Sequence, residues 1–317
     1  MGRSINVFSM CDGMSCGQIA LRELGYDINR YYASEIDKNS IKVTMHNFPD
    51  TVQIGDVNNI DAELLGGLPK IDLVIFGSPC RSLSKATLGR EEYSNGLEGV
   101  SGLFYVCADI LRWLVENNNP DLMFLCENVD SSRKADIGRM SEVLGVDPLE
   151  INSGLFSAQD RRRLYWTNIP VPELPTSCGL VMDDILESSV GEKYYYKQPH
   201  EVTDLDKRVC ATLGINGHDI LKRVYNTRYK SPTLTACRGG NRQVKIYEDG
   251  RVRRLTPEEY RRLQTIPDWY KTDCVAESHV YNMCGDGWTV EVIKHIFKGI
   301  GGAPKGRKVK VGYAELW

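Results

Sequence analysis

Short apolar runs alternate with segments of helical spacing over the first 170 residues. The runs at 5–10, 71–76 and 122–126 are rich in Val, Ile, Leu and Phe and are followed by glycine or acidic residues, which is typical of buried strands. Further strands are predicted at 30–34 and 51–54. This alternation predicts an α/β fold built on a doubly wound, mostly parallel sheet.

Two helices fit between these strands. One is predicted at 16–24, and another at 102–116, where apolar residues recur on one stripe. The segments 149–153 and 163–169 follow each other closely and are predicted to form an antiparallel pair at one edge of the sheet. The stripe of the second helix consists of Leu103, Cys107, Ile110, Leu111, Leu114 and Val115.

The character of the chain changes after Pro170. Three prolines within six residues mark a boundary, and turns, tyrosines and basic residues follow. Helical spacing returns at 290–300, where we expect the chain to re-enter the first domain. These patterns predict a first domain that ends near Pro172, a second, smaller domain after it and a return of the chain to the first domain near its carboxyl terminus.

Composition narrows the class of protein. The chain has 317 residues, of which 42% are hydrophobic and 26% charged, and no apolar run approaches the roughly 20 residues that span a membrane. A strand begins already at Ile5, which argues against a signal peptide. Ten cysteines without regular spacing indicate reduced thiols. We expect a monomeric, cytoplasmic protein with no membrane partner and, without a CxxC pair, no metal site.

The net charge of −3 conceals a basic block between Lys222 and Arg262. Twelve Lys or Arg residues stand there against four Asp or Glu, a local excess of eight positive charges that leaves −11 for the rest of the chain. Such a block is a candidate surface for a polyanion. Chance clustering on a solvated surface is the alternative.

A thiol and a carboxyl group are predicted to meet at one edge of the sheet. Cys80 follows the run 71–76 in the sequence GSPC, and Glu127 follows the run 122–126. Open α/β sheets place their active sites at the carboxyl ends of strands. A thiolate there would attack a carbon of an electron-poor ring while the carboxyl group holds or protonates the neighbouring ring nitrogen. A buried structural cysteine is the alternative.

Three further strand ends indicate an adenosine-containing cofactor. The turn DGMSCG at 12–17 opens the first helix, Glu35 lies about twenty residues further on, as in dinucleotide-binding folds, and Asp56 ends the third strand. Glu35 would accept hydrogen bonds from ribose hydroxyls, and Asp56 from an adenine amino group. Each feature alone also fits an ordinary turn, a helix cap or a surface charge.

Two arginines precede or begin the strand at 163–169. Alternation sends Arg161 and Arg163 to the same side, where both could face one anion or carbonyl. A charged hairpin turn is the alternative. The glycine-rich loop 81–102, with Lys85 and Arg90, is a candidate lid that touches phosphates.

Nine motifs in family order resemble those of the DNA (cytosine-5)-methyltransferases over nearly the whole chain, and are typical of the single-chain enzymes of bacteria and phages. They are DGMSCG, SEID, GDV, GSPC, ENV, QDRRR, SPTLTACRGGNRQ, RRLTPEEYRRLQTIPDWY and GDGWTVEVIKHIF. The resemblance implies a class I S-adenosylmethionine-dependent methyltransferase domain at 1–172. It also implies a target-recognition domain at 173–271, which agrees with the basic block, and a return segment at 272–317 that packs on the catalytic domain.

The mechanism that the resemblance implies is methyl transfer from S-adenosylmethionine to C5 of a cytosine flipped out of double-stranded DNA. Cys80 would add to C6, Glu127 would hold the N3/N4 edge and Arg163 the O2 carbonyl. Loss of the C5 proton would then release the thiolate. Arg161 would steady the active-site loop. A cognate restriction enzyme is left open as a partner.

The resemblance also implies two sets of contacts. Those expected at the cofactor are Cys11, Asp12, Gly13, Met14, Ser15, Cys16, Glu35, Ile36, Asp56, Val57, Pro79, Asp286 and Trp288. Those expected at DNA are Arg81, Ser82, Arg228, Lys230, Arg238, Gly239, Gly240 and Arg242.

The chain departs from the family pattern at three positions. Cys11 stands where Phe usually packs on the adenosine, Arg81 where Gln or Asn is frequent, and Asp286 where Asn is usual. Arg81 could favour the thiolate of its neighbour or reach a phosphate. Two interpretations stay open: tolerated drift with weaker cofactor binding, and altered donor preference or reduced activity.

Two other functions stay open. One is an RNA cytosine-5-methyltransferase of the transfer-RNA branch that shares this fold, although the Cys-Phe-Thr motif of that branch is not in the sequence. The other is a DNA-binding pseudo-enzyme without turnover. The presence of Cys80, Glu127 and Arg163 argues against the pseudo-enzyme.

Overall fold

The computed structural model describes residues 4–79, 97, 102–130, 134–237, 239, 241–302 and 311–312. The chain forms two compact units. The first comprises residues 1–151, 162–172 and 293–317, and the second comprises residues 152–161 and 173–292. The second unit thus takes in residues 272–292, which the resemblance placed in the return segment, and residues 152–161, which it placed in the first domain.

A seven-stranded sheet forms the centre of the first unit. Its strands are β1 (Ile5–Met10), β2 (Ile28–Ser34), β3 (Val52–Gln53), β4 (Leu73–Phe76), β5 (Met123–Val129), β6 (Leu149–Asn152) and β7 (Arg162–Thr167). The order is β3-β2-β1-β4-β5-β7-β6. Strands β1 to β5 pair in parallel, and β7 pairs antiparallel with β5. This confirms the predicted doubly wound, mostly parallel sheet.

Helices connect the parallel strands, as the alternating pattern predicts. They are α1 (Cys16–Glu23), α2 (Lys38–Asn47), α3 (Ala62–Gly66), α4 (Leu103–Asn117) and α5 (Lys134–Leu144). The carboxylate of Asp37 caps α2 by accepting hydrogen bonds from the amides of Asn39 and Ser40. In the described parts of the chain, no helix is long and apolar enough to cross a bilayer.

Helix α4 supplies much of the core of the first unit. Five of its six predicted stripe residues are buried, whereas Leu103 is only half-buried and Phe104 joins the core instead. These side chains pack against Phe76, Phe124 and Trp166 of the sheet. Burying each large apolar side chain stabilises the fold by roughly 1.5–3 kcal/mol, so α4 holds β4 and β5 at the centre of the sheet.

Strand β5 is longer than its apolar run. It continues through Val129 because β7 pairs with it, setting Glu127 opposite Tyr165 and Val129 opposite Arg163. The expectation that Glu127 follows the strand is therefore wrong. A glutamate is tolerated inside this strand because a cross-strand cation meets it on the same face.

The second unit contains a five-stranded sheet of order β12-β11-β10-β9-β8. Its strands are β8 (His200–Val202), β9 (Val209–Leu213), β10 (Arg223–Asn226), β11 (Lys245–Glu248) and β12 (Arg251–Arg254). Helices α6 (Asp219–Lys222), α7 (Pro257–Leu263) and α8 (Glu277–Asp286) belong to it, and α9 (Val290–Phe297) begins in it and ends in the first unit. A small apolar cluster on the sheet consists of Cys210, Ala211, Leu213, Val224 and Val252.

A buried ion network supplements this small core. The guanidinium of Arg253 is fully buried and donates to both oxygens of Glu259, at 2.8 Å each, and to both oxygens of Glu248. Glu259 also completes the capping box of α7 with Thr256. The network therefore ties β11, β12 and α7 together.

Replacing Glu259 by Gln should destabilise the second unit, because the side-chain amide sets an N–H donor against buried donors of Arg253 or Thr256 where a carboxylate oxygen accepts in the wild type. We expect a loss of about 3 kcal/mol in the free energy of unfolding, measured by urea denaturation. The neighbouring Glu258 is a matched control, since its ion pairs with Arg261 and Arg262 lie nearer the surface. Glu258→Gln should cost under about 1 kcal/mol, and equal losses would contradict the prediction.

Candidate functional site

The carboxyl ends of three neighbouring parallel strands carry predicted cofactor residues. The order β3-β2-β1 sets the ends of these strands side by side. Hydrogen bonds link them directly: the amide of Asp12 donates to the carbonyl of Ser34 at 3.1 Å, and Ser34 Oγ donates to the carbonyl of Gly55 at 2.7 Å. The structure therefore brings Glu35 and Asp56 to the same edge as the first turn.

The turn after β1 has an unusual backbone. Cys11, Gly13 and Ser15 all adopt positive φ values, of 54°, 58° and 56°. Left-handed conformations of non-glycine residues cost roughly 1–3 kcal/mol and are retained mostly at functional sites. A Cβ placed on Gly13 would meet no atom within 4 Å. The turn therefore presents backbone next to open space.

Backbone amides organise the carboxylate of Glu35. Its Oε2 accepts the amide of Gly13 at 2.7 Å, and its Oε1 accepts the amides of Ile36 and Asp37 at 2.8 Å each. The carboxylate thus fixes the turn against the end of β2. Beside it, the side chain of Ile36 is 69% exposed. A carboxylate next to an exposed aliphatic side chain suits a sugar hydroxyl beside the face of an aromatic ring.

A second acid, Asp12, is the first residue of the turn. Its carboxyl group accepts hydrogen bonds from Ser9 Oγ at 2.6 Å, from Tyr31 OH at 2.8 Å and from Ser15 Oγ. Burial raises the pKa of Asp12 to about 6, and the three hydroxyl donors offset that rise only in part. Asp12 thus titrates close to neutral pH.

The thiol of Cys11 faces the core. It packs against the core cluster of the first unit and is hydrogen-bonded to Cys107 of α4. This hydrogen bond and burial raise the pKa of Cys107 well above its ordinary value. Burial also raises the pKa of the nearby Cys126. A small thiol therefore fits at position 11, and its contact with a cofactor stays a prediction.

The other residues predicted at the cofactor turn have mainly structural contacts. Asp56 accepts the amide of Asn58 at 3.0 Å and so caps a short 3-10 turn. Val57, Met14 and Cys16 are buried. They shape the site from below.

The last predicted cofactor motif lies in the second unit. Helix α8 ends at Asp286, whose carboxylate accepts a hydrogen bond from Asn282 Nδ2 at 3.1 Å. A Cβ on Gly285 would lie 2.2 Å from the amide nitrogen of Ala236, so this close approach requires glycine. Contacts of Asp286 and Trp288 with a cofactor stay predictions.

The side chain of Asn128 holds Ser78, which stands two residues before the expected nucleophile Cys80. Asn128 Nδ2 donates to Ser78 Oγ at 3.2 Å and to the Ser78 carbonyl at 3.4 Å, and both residues are buried. Sequence reasoning missed both positioning residues, although they stand inside the motifs GSPC and ENV. Pro79 ends the described stretch. The predicted residues Cys80, Arg81, Ser82, Lys85 and Arg90 lie outside the described residues.

Glu127 and Arg163 form an ion pair across β5 and β7. Arg163 Nε lies 3.0 Å from Glu127 Oε1, and the two side chains are 12% and 11% exposed. Nη1 of Arg163 also donates to the carbonyl of Arg162 at 2.7 Å. The pair sets N–H donors beside carboxylate acceptors, which complements a ring that carries a carbonyl next to an amine.

Arg161 does not share a target with Arg163, so the hypothesis of one common anion is wrong. Its buried guanidinium donates to the carbonyl of Leu234 at 2.9 Å and to those of Gly285 and Gly287 at 3.0 Å each. Alternation fails here because β7 begins one residue after Arg161. These contacts agree with a role in steadying a loop.

Acids from outside the basic block neutralise part of it. Arg223 pairs with Asp219, and Arg251 makes two hydrogen bonds to Glu192. These acids belong to the same unit but precede the block in sequence. The excess of positive charge therefore overstates the basic surface.

The residues predicted to contact DNA differ in how far their side chains are already bound within the protein. Arg228 donates to the Leu205 carbonyl and to Asp206, yet its side chain is 61% exposed. Lys230 Nζ donates to the carbonyls of Ser157 and Leu180 at 2.9 and 2.7 Å, which favours an anchoring role over a phosphate contact.

Among the remaining predicted DNA contacts, Arg242 is exposed. Gly239 has a φ of 139°, which only glycine adopts without strain. Arg238 and Gly240 lie outside the described residues.

Comparison with solved structures shows that methyltransferases share this fold. The chain is similar to the methyltransferase EhMeth of Entamoeba histolytica, with a TM-score of 0.68 at 14% identity, covering 95% of this chain and 98% of that one.

Sequence comparison identifies the family. The model of the C-5 cytosine-specific DNA methylases matches residues 5–145 and 157–302. The chain therefore belongs to the C-5 cytosine-specific DNA methylase family, which implies methylation of cytosine with S-adenosylmethionine as the methyl donor.

Two relatives illustrate this membership. The type II methyltransferase M.Bsp6I of Bacillus sp. (strain RFL6) is 27% identical over 328 residues, covering 93% of this chain and 98% of the relative. The orphan methyltransferase M.SPBetaI of Bacillus phage SPbeta is 25% identical over 353 residues, covering 82% and 78%.

The raised pKa of Asp12 predicts a pH-dependent stability. As the pH rises from about 4 to about 6, the unfolded chain, with an ordinary pKa of 3.8, loses this proton before the folded protein does, so folding becomes less favourable. Asp12→Asn removes this effect. The difference in urea midpoint between variant and wild type should shift in favour of the variant up to about pH 6–7 and then stay constant.

The control for this experiment is the exposed Asp50. Asp50→Asn should leave the pH profile of the wild type unchanged. A difference between Asp12→Asn and wild type that does not vary from pH 4 to 8 would contradict the assignment.

Proposed function

We propose that this protein transfers a methyl group from S-adenosylmethionine to C5 of a cytosine in double-stranded DNA, through a covalent adduct of Cys80 at C6. The observation that carries the proposal is the nearly buried ion pair of Glu127 and Arg163. It lies on β5 and β7, and β5 is the strand next to the one that leads into Pro79 and Cys80.

The chemistry follows from the pair. Arg163 would donate to the O2 carbonyl of the base, while Glu127 would hold the N3/N4 edge and deliver a proton to N3. The negative charge that develops on the ring as the thiolate adds to C6 is thereby neutralised. The Cys80 thiolate forms a bond to C6, which makes C5 nucleophilic. C5 then forms a bond to the methyl group as the bond between that group and the sulfonium sulfur breaks. Water or hydroxide from the solvent takes the C5 proton, the electron pair of the C5–H bond re-forms the C5–C6 double bond, the C6–S bond breaks to release the thiolate, and N3 returns its proton to Glu127. Asn128 and Ser78 would position the loop that carries the thiol.

The edge formed by β1, β2 and β3 suits the methyl donor. S-adenosylmethionine, when bound, supplies an electrophilic methyl group on a sulfonium. We assign Glu35 to its ribose hydroxyls, Asp56 to its adenine amino group and the exposed Ile36 to the face of the adenine ring. The open space next to Gly13 is compatible with this ligand.

Duplex DNA is the proposed substrate for two reasons. The matching family model is that of DNA methylases, and the two relatives are named as a type II and an orphan methyltransferase. The second unit would read the target, with Arg228, Gly239 and Arg242 among its contacts. Since a cytosine inside a duplex is inaccessible, the base would be flipped into the site. We propose that the protein acts as a monomer.

A methylation assay tests the proposal directly. The purified protein is incubated with S-adenosylmethionine and either duplex DNA or transfer RNA, and the nucleosides are analysed by mass spectrometry. We expect 5-methylcytosine in the DNA and none after Cys80→Ala. 5-Methylcytosine in the RNA alone would refute the DNA substrate. Its absence from both nucleic acids would favour a pseudo-enzyme.

The ion pair has a matched control on the same sheet. Glu127→Gln should lower the rate about 10²–10³-fold, because the ring loses its charged partner. Glu150→Gln breaks the corresponding exposed pair with Arg162, whose side chains are 53% and 63% exposed, and should leave the rate unchanged. Similar rates for the two variants would contradict the role of Glu127.

Cofactor binding is tested separately by calorimetry. Glu35→Gln should weaken the affinity for S-adenosylmethionine by about tenfold or more, because a charge-assisted hydrogen bond is lost. The exposed Glu63 provides the control variant Glu63→Gln. An unchanged affinity of Glu35→Gln would refute the assignment of Glu35 to the ribose.

A further inference from the structure

Lys245, at the start of β11, is a buried lysine. Its side chain is 2% exposed, and its Nζ donates to the carbonyl of Asn241 at 2.6 Å and to that of Gln243 at 3.1 Å. Nζ also lies 5.7 Å from the centre of the Tyr196 ring. Burying an ammonium is costly unless such contacts offset the loss of water. A lysine in this buried position therefore indicates a role that requires its charge or its hydrogen bonds.

What Lys245 binds is the backbone just before β11. Asn241 adopts a φ of 59°, in the left-handed region. On the far side of the segment, the amide of Val244 donates to Tyr260 OH at 2.8 Å. Three hydrogen bonds from two side chains, Lys245 and Tyr260, thus hold this backbone, while the side chain of Arg242 is exposed.

The ammonium is suited to this anchoring. Burial lowers the pKa of Lys245 to about 8, which leaves it charged at pH 7. A charged donor makes stronger hydrogen bonds to carbonyls than a neutral one. Reading base edges demands a backbone held to within about 0.5 Å, whereas phosphate attraction does not.

We propose that Lys245 is a positioning residue for target discrimination: it holds the backbone of residues 241–243 in the conformation that reads the DNA sequence. This inference rests on the proposed function, in which the second unit contacts DNA. The proposal distinguishes sequence discrimination from overall affinity for DNA. Removing the anchor should impair the choice between DNA sequences and leave the general attraction for DNA intact.

The first arm of the test needs no DNA. Lys245→Met removes the ammonium and keeps an unbranched side chain of similar length in the buried site. Hydrogen–deuterium exchange at pH 7 is followed by mass spectrometry on peptides that cover residues 239–244. We expect exchange there to be about tenfold faster or more, with peptides from β9 and β10 unchanged.

The control for charge is Lys207→Met. Lys207 is 74% exposed and pairs with Asp204 at the surface of the same unit. The variant changes the net charge as Lys245→Met does but should exchange as the wild type does. Lys245→Gln keeps an amide that can donate a hydrogen bond, so its exchange should be intermediate between those of the wild type and Lys245→Met. It replaces Lys245→Met if thermal melting shows that the Met variant is not folded.

The second arm measures discrimination. The target of the wild type is found by bisulfite sequencing of plasmid DNA, and initial rates are then compared on target duplexes and on duplexes with one base pair changed. Lys245→Met should reduce the ratio of these rates by about tenfold, the order of one base contact. Affinity for a duplex without the target should stay within about twofold.

The outcomes separate the two proposals. Unchanged exchange in Lys245→Met overturns the anchoring role whatever the DNA results are. Faster exchange with unchanged discrimination, or an equal loss of discrimination in Lys207→Met, overturns the role in target choice. If the wild type methylates no DNA, the proposed function fails and target choice fails with it, while the exchange arm still decides whether Lys245 anchors the segment.

Discussion

The antiparallel pairing of β7 with β5 is the constraint on which the proposed chemistry depends. Its register sets Glu127 opposite Tyr165 and Val129 opposite Arg163, so the acid and the guanidinium are diagonal neighbours on one face. A slip by one residue would turn Arg163 to the other face of the sheet and leave Glu127 without it. Backbone hydrogen bonds thereby determine the electrostatics of the site. The antiparallel pairing of β7 with β5 thus assembles the ion pair on which the proposed chemistry depends.

The fold was largely predictable because its signals are local. Buried parallel strands are apolar on both faces, so β1, β4 and the first part of β5 stand out as runs, and α4 shows its stripe. The prediction failed at Glu127, since only a cross-strand partner explains a glutamate inside a strand. That partner, Arg163, lies 36 residues away in sequence, and hydrophobic periodicity does not predict contacts between residues so far apart.

The site was predictable in its residue types and less so in their partners. The carboxylates of Glu35 and Asp56 do lie at the ends of adjacent strands, as expected for parallel strands. Arg161 was placed wrongly because its three carbonyl acceptors come from segments more than 70 residues downstream. Lys245 was counted with the basic block, since composition does not distinguish a buried cation from an exposed one. In the same way, the acids that neutralise the block lie outside the window in which its charge was counted.

The division of the chain has a consequence for synthesis. The first unit is assembled from three separate segments, the last of which begins at residue 293. Tyr26 OH, at the amino-terminal end, donates to the carbonyl of Phe297 at 3.0 Å. On the ribosome, the first unit therefore lacks its last segment until the residues of the second unit have been translated. The second unit consists of residues 152–161 and 173–292, all of which are synthesised before residue 293. The part proposed to read the target is thus complete before the part proposed to carry out the chemistry.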